Sequence, residues 1–435
     1  MATRNPVSVL ELPQQLSFRL PGFQGREGRF IFIPISPGRR GRGSPQNMGM
    51  RTCHIRRPKC SVFLQPRWRS TLNAAVPPKT QSNRKLLIGT AIGAVGVGFG
   101  LYSYFSLSES KQKHTTGVAL TEKLDYTRND NIVDIKPSRE ISGPATGIGL
   151  DLTLYQYQTC PFCCKVRAFL EFYGIPYKII EVNPVMRQQL KFSKYKKVPI
   201  LIAGDKEASK KHQLNDSSVI ISILGTFLED ISFGLDSVLK YYVPVAYINE
   251  DGKEVEEVMN KYFLMFGDKY KENADTYLKK ERQWRKWADS VFVHVLSPNI
   301  YRTYDEALQA FNYFSEVGEW EKNFSTIERF IVIYVGATAM YFVGKRLKKK
   351  HALKDDVRES LYDTCRQWMK EIGSKKKFMG GDMPNLADLA VYGMLSSIEG
   401  CSAFQDLLKN TNIGPWYYNV KEAVVNHHGY QKLKL

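Results

Sequence analysis

Two cysteines three residues apart, in Cys160-Pro161-Phe162-Cys163, are the residues of this 435-residue chain whose types and spacing could do chemistry. The run Leu152 to Tyr157 before them has the period of a strand, and Val166, Phe169, Leu170 and Tyr173 after them recur as on one face of a helix. Strand, turn and helix put Cys160 at a helix N-terminus, where unpaired backbone N–H groups and the helix dipole favour a thiolate. Such a setting lowers a cysteine pKa from about 8.5 to roughly 3.5–7.5, so Cys160 is expected to be a nucleophile near neutral pH. Zinc is the obvious competitor, but it needs a second ligand pair. The other cysteines, Cys53, Cys60, Cys164, Cys365 and Cys401, and the isolated His212 do not supply one, so no metal is expected. Two inert, half-buried thiols are the remaining alternative. Cys164 reads as a packing residue.

Downstream, Gly174-Ile175-Pro176 stops the helix, Tyr177 to Val182 reads as a second strand, and a polar connection leads to Val198-Pro199-Ile200-Leu201-Ile202. Asp216 and Ser217 then open another helix. They are good caps, and the free N–H groups beside them could also hold a carboxylate. Far along the chain, Asn385 caps a helix and Asp388 can reach back to it, a variant of the capping box.

On these residues the chain resembles known proteins. Tyr155 to Phe162 is similar to glutaredoxins, and Asp216-Ser217 is similar to the acidic-Ser pair of glutathione transferases. Pro384 to Ala390 looks like a transferase helical-domain motif. With Lys286-Trp287-Ala288-Asp289, Ser297 to Arg302 and Phe378 to Gly381, the stretch from about Gly149 onward resembles the membrane-associated type 2 prostaglandin E synthases. The resemblance implies an α/β thioredoxin-like domain followed by an all-α transferase-like domain. It implies a cis Val198-Pro199 bond facing Cys160, glutathione held by the Val198 backbone, Asp216 and Ser217, and a homodimer. It also implies conditional haem binding with the glutathione sulfur on iron, a form expected to break the substrate down. Nothing in the sequence itself demands haem.

The expected organisation is a basic disordered leader (1–85), a transmembrane helix (86–107), a linker (108–148), the thioredoxin-like domain (149–226), a linker region (227–280) and the helical domain (281–435). The leader has sixteen Lys or Arg against Glu11 and Glu27, so it contributes +14 of the net +19. Its Pro, Gly and Ser content argues against a packed core. It lacks the interleaved aromatics of a nucleic-acid binder, and no such partner is expected. Leu86 to Leu107 carries no charge and as a helix would span about 33 Å, against a bilayer core of roughly 30 Å. Flanking lysines barely decide orientation. The resemblance points to a Golgi membrane protein with a cleavable soluble part, and the Arg-rich leader to mitochondrial delivery as the alternative.

In the helical part, Trp284, Trp287, Val291 and Val295 recur as a buried stripe expected to end near Pro298, with His294 on the same side. A histidine there is more often a core residue than a ligand, yet His294 could line a cleft facing Cys160. Phe330 to Gly344 is too short for a membrane span and reads as a buried helix. By resemblance, the substrate is a lipid endoperoxide, prostaglandin H2. Cys160 opens the peroxide, Tyr157 hydrogen-bonds the sulfur, Phe162 shapes the surroundings, and Cys163 and Pro199 complete the site. The rivals are a dithiol oxidoreductase, in which Cys163 resolves a mixed disulfide, and a non-catalytic membrane protein that stores haem or glutathione.

Overall fold

The computed structural model describes residues 135–205, 211–249, 252, 254–265 and 274–433. The leader and the apolar segment 86–107 lie outside them. The sheet has five strands, β1 (Arg139–Ile141), β2 (Leu150–Gln156), β3 (Tyr177–Glu181), β4 (Ile200–Asp205) and β5 (Lys211–Asn215), in the order β1-β3-β2-β4-β5. β2 runs parallel to β3, and the other pairs are antiparallel. The parallel pair needs a crossover, which α1 (Pro161–Phe172) supplies. β4 is buried from Ile200 to Gly204 and reads as an apolar run, whereas β2 keeps its alternation, with Leu150, Leu152 and Leu154 buried and Asp151 and Thr153 half-buried between them. α2 (Ser217–Glu229) and the short α3 (Leu235–Leu239) come after the sheet.

The fold begins earlier than expected. β1 falls in the stretch read as linker, where it pairs with β3, and three residues are too few for a periodic signal. The stretch 227–280 is not a plain linker either. It holds the end of α2, α3, a hairpin of β6 (Val245–Ile248) and β7 (Glu254–Glu257), and the start of α4 (Ala274–Trp287). Gly252, at a φ of +72°, marks the hairpin connection that the charged surroundings hide.

The helical region continues through a π turn (Ala288–Phe292), α5 (Val293–Ile300), α6 (Tyr304–Val317), α7 (Trp320–Asn323), α8 (Thr326–Lys350), α9 (Val357–Ile372), α10 (Leu386–Ser396), α11 (Ser402–Asn410) and α12 (Ile413–Val425). The π turn corrects the expected stripe. Its extra residue rotates the rest of the helix, so Phe292 is fully buried while Val291 is 41% exposed. Pro298 lies inside α5 instead of ending the stripe. α8 is not a buried helix. One face packs inward through Val332, Gly336, Ala337 and Met340, while Ile327, Phe330 and Phe342 are 74%, 60% and 63% exposed.

The capping box at the start of α10 forms as expected. Asn385 accepts from the N–H groups of Ala387 and Asp388, and Asp388 accepts from the Asn385 N–H at 3.1 Å. Asp388 also accepts from Met379, Gly380 and the Trp416 indole, tying Phe378–Gly381 to the helix start.

α10 packs directly on α1. A Cβ at Gly393 would lie 2.6 Å from the Lys165 Cα and 2.8 Å from the Cys164 carbonyl oxygen. Both are backbone atoms of α1, which cannot swing aside. Alanine gains about 1 kcal/mol over glycine in a helix interior. Overpacking against backbone costs about 1–3 kcal/mol. Gly393→Ala should therefore lower the thermal unfolding midpoint, and a raised midpoint in a melting scan would refute so close an approach.

Candidate active site

Cys160 is the N-cap of α1, in extended backbone geometry, with Pro161 as the first helical residue. Proline has no N–H to leave unpaired there and holds a helical φ, so the sequence itself starts the helix at this point. The Cys160 N–H donates to the Tyr157 carbonyl at 3.1 Å, and the Cys160 carbonyl accepts from the Cys164 N–H at 2.8 Å. Cys160 is 3% exposed and Cys163 fully buried. Burial pushes the Cys163 thiol well up, and its hydrogen bond to Cys160 and the Cys160 charge add to this, against a hydrogen bond from the Tyr157 backbone. Cys163 is therefore the protonated partner of the pair.

The thiols belong to a small apolar cluster with Tyr155, Ile180, Val182, Leu190, Val198, Ile200 and Ile202, against which Tyr157, Phe162 and Tyr195 pack. The cluster lowers the water content around a sulfur nucleophile. Val198 and Pro199 are buried beside it, joined by a cis peptide bond. The Tyr157 main chain meets the Cys163 sulfur and the Cys160 backbone N–H. The Tyr157 hydroxyl is raised chiefly by burial, against the charge of the nearby Arg187.

Asp216 caps α2 by accepting from the Ser218 N–H at 2.8 Å. It does so at a φ of +66°, a strained region for a non-glycine residue. Ser217 is buried next to it. The Tyr195 hydroxyl meets the Asp216 backbone and feels both cysteines, so Tyr195 links the thiol pair to the Asp216–Ser217 turn. Two lysines that the sequence does not single out complete this corner. Lys261 lies 3.5 Å from Asp216 and 2.9 Å from Glu257. Lys197, just before the cis bond, is pulled down to about 8 by burial, with the Asp216 charge opposing. Lys197 lies in a run of basic residues that reads as a solvated loop, and Lys261 owes its place to the unrecognised hairpin.

A second such group lies beneath. Lys165, 1% exposed, donates to Asp289 at 2.6 Å and to Ser218 at 2.8 Å. Asp289 also accepts from Ser218 at 2.6 Å and from the Tyr262 hydroxyl at 2.9 Å. Burial alone would raise the Asp289 carboxyl, but the Lys165 charge and the hydrogen bonds from Lys165 and Ser218 hold it below its usual value. The π turn aims Asp289 at this junction, tying α1, the start of α2 and the helical region together. Its partners Tyr262, Ser218 and Lys165 are 27, 71 and 124 residues away, beyond any local signal.

His294 is placed in other company. Its ring stacks on His351 with centroids 4.1 Å apart. In the helical region Tyr301 packs on Phe311, and its hydroxyl is raised chiefly by burial.

The glutathione S-transferase N-terminal domain family model matches residues 154–226. A mouse protein described as prostaglandin E synthase 2 is 44% identical over 343 residues, 78% of this chain and 82% of that protein. A zebrafish protein of the same description is 43% identical over 335 residues, 76% and 80% of the two chains. Among solved structures, the apo form of glutathione S-transferase III aligns over 66% of this chain and 98% of its own, at 14% identity and a TM-score of 0.34. Rice GST1 in complex with glutathione aligns over 65% and 95%, at 14% identity and a TM-score of 0.34.

Removing one member of a buried ion pair costs about 3–5 kcal/mol. Asp289→Ala should destabilise the protein by about that amount, because Lys165 keeps its charge without a counter-ion. The double change Lys165→Met with Asp289→Leu should restore much of the loss. Denaturant unfolding of both variants checks this, and equal stability of Asp289→Ala and the parent chain would contradict it.

Proposed function

Since the chain belongs to the prostaglandin E synthase 2 family, we propose that it isomerises prostaglandin H2 to prostaglandin E2 with Cys160 as the nucleophile. The observation that carries the reading is the division of labour in the thiol pair. Cys160 caps a helix in an apolar cluster, and the fully buried Cys163 retains its proton beside it.

The Cys160 thiolate attacks the peroxide oxygen on C9, forming an S–O bond as the O–O bond breaks. The released C11 alkoxide takes a proton. Loss of the C9 proton to a base then forms the C9 carbonyl and returns the electron pair of the S–O bond to sulfur. Thiolate is regenerated, and the product is an isomer of the substrate. Phe162 and Tyr195 wall the sulfur and keep water out of the apolar cluster.

Glutathione fits the corner beside the thiols. Its γ-glutamyl ammonium suits Asp216, its carboxylates suit Ser217, the α2 N-terminus, Lys197 and Lys261, and the Val198 backbone takes its cysteinyl amide. Bound there, it supplies a second thiol. Among the described residues no group of three His, Cys, Asp or Glu side chains is placed to hold a free metal ion; a haem iron needs a single thiolate or imidazole, which the thiol of bound glutathione would supply. Haem is accordingly proposed only as conditional on bound glutathione, and no step runs through it.

We place the protein at a Golgi membrane, anchored by residues 86–107, with a cleaved soluble cytoplasmic form, and keep a mitochondrial address as the alternative. We assign the exposed apolar face of α8 to a second copy. Ile327 opens it, and Phe330, Tyr334 and Phe342 continue it along the helix. Lys345, Arg346, Lys349 and Lys350 lie at one end, while at the other Glu319 and Glu321 are paired with Lys322 and Arg329, so the assignment rests on the apolar face and not on charge.

Two measurements test these readings. With the full chain in detergent, Cys160→Ser should lower prostaglandin E2 formation at least about a hundredfold, while Cys163→Ser should keep it within about tenfold. Activity lost equally in both would favour the dithiol oxidoreductase, and activity kept in Cys160→Ser would favour a non-catalytic role. Phe330→Glu should abolish chemical cross-linking between copies, and cross-linking unchanged in that variant removes α8 from the interface.

A further inference from the structure

The loop that carries Tyr157, Gln158 and Thr159 into Cys160 is held from behind by a buried polar ring that the reaction above does not use. Gln158 is its centre. Its backbone N–H donates to Glu181 Oε1 at 2.7 Å. Its carbonyl accepts from Arg167 Nη2 at 2.8 Å and from the Cys164 S–H at 3.3 Å. Its side-chain oxygen accepts from Gln156 Nε2 at 2.8 Å and from the Arg139 guanidinium. Gln156 closes the ring by donating to Glu181 Oε2 at 3.2 Å and accepting from Arg167 Nη1 at 2.6 Å. Gln156 is fully buried, and Glu181 is 2% exposed.

A carboxylate is an expensive way to fill a buried strand position. The nearest cation, Arg139, stands 3.6 Å away and is itself part-exposed. Burial pushes Glu181 up to about 7, against hydrogen bonds from Gln158 and Gln156 and the charges of Arg139 and Arg167. The groups that face its oxygens from β1, β2 and the loop are all donors. An ionised Glu181 can accept from each of them. A protonated one must turn its own O–H toward a donor, losing one of these bonds. The loop so held makes two contacts with the thiol pair, the Tyr157 carbonyl on the Cys160 N–H and the Tyr157 N–H toward the Cys163 sulfur.

We propose that Glu181 is a positioning residue for Cys160, gripping the Tyr157–Thr159 loop in its ionised form and relaxing it when protonated. The inference rests on reading Cys160 as the reactive thiol and adds a second titration to that sulfur's behaviour. The sign for stability is opposite to that for grip. A folded-state pKa above the unfolded value of about 4.5 means that this group's contribution to stability is complete below about 4.5 and lost as pH rises through about 7. The protein gives up stability to hold the loop at neutral pH.

The test is the rate of Cys160 alkylation by iodoacetamide in the full chain, read by peptide mass spectrometry from pH 5 to 9. The parent protein should show, besides the thiol's own titration, an inflection near 7 with a drop of about threefold on its acidic side. Glu181→Gln, which keeps an acceptor for the Gln158 N–H but cannot ionise, should lose that inflection. Arg139→Gln, which removes a part-exposed cation and one donor to Gln158 Oε1 but leaves both hydrogen bonds to Glu181 in place, should move it to higher pH, and it decides the matter if Glu181→Gln fails to fold. A reactive Cys160 whose profile neither variant changes overturns this inference alone. A Cys160 that reacts no faster than Cys163 at any pH overturns the catalytic reading and this inference with it.

Discussion

The contact between α1 and α10 is the constraint on which the rest depends. The two helices approach until only glycine fits at position 393, and α1 is the helix whose first turn presents Cys160. A thiol at a helix N-terminus is useful only if the helix axis is fixed relative to whatever the sulfur must meet. The sheet fixes α1 on one side through β2 and β3, and the helical region fixes it on another.

Polar groups then do what apolar packing cannot. Lys165 on α1 reaches Asp289 and Ser218, so the thiol helix and the Asp216–Ser217 turn share one buried ion pair. An apolar pair of the same volume would pack as well. It would not define which rotation of α1 meets which turn of α2, because dispersion has little angular preference. On the other flank, the Gln158 ring sets the loop that precedes the helix. The sulfur thus sits between two directional networks, within a small apolar cluster of its own.

The chemistry is legible in the sequence where residues that act together lie close together in the chain. Cys160, Cys163, Pro161 and the flanking strand and helix are all within one β-α unit, and the Asn385–Asp388 box is local by construction. The Asp216 cap is visible for the same reason, though its positive φ is not. Long-range partners stay hidden: Lys165 looks like any polar helix residue until Asp289 is folded against it, and Glu181 like the polar end of a strand. The hairpin at 245–257 gives little signal because its strands are short and partly charged. The apolar face of α8 reads as core because composition reports how oily a helix is and not what covers it.

The π turn at Ala288–Phe292 has a consequence for how this helix tolerates length changes. In an α-helix each residue turns the chain by about 100°, so a widened turn leaves the segments before and after it out of angular step by one residue. Trp284 and Ala288 on one side, and Phe292 and Leu296 on the other, are buried together only because that slip is present. A chain one residue shorter here would form a better helix by every local measure. It would also turn Phe292 toward solvent and carry Asp289 away from Lys165. Local regularity and the global register are therefore in direct conflict over these five residues, and the register has won.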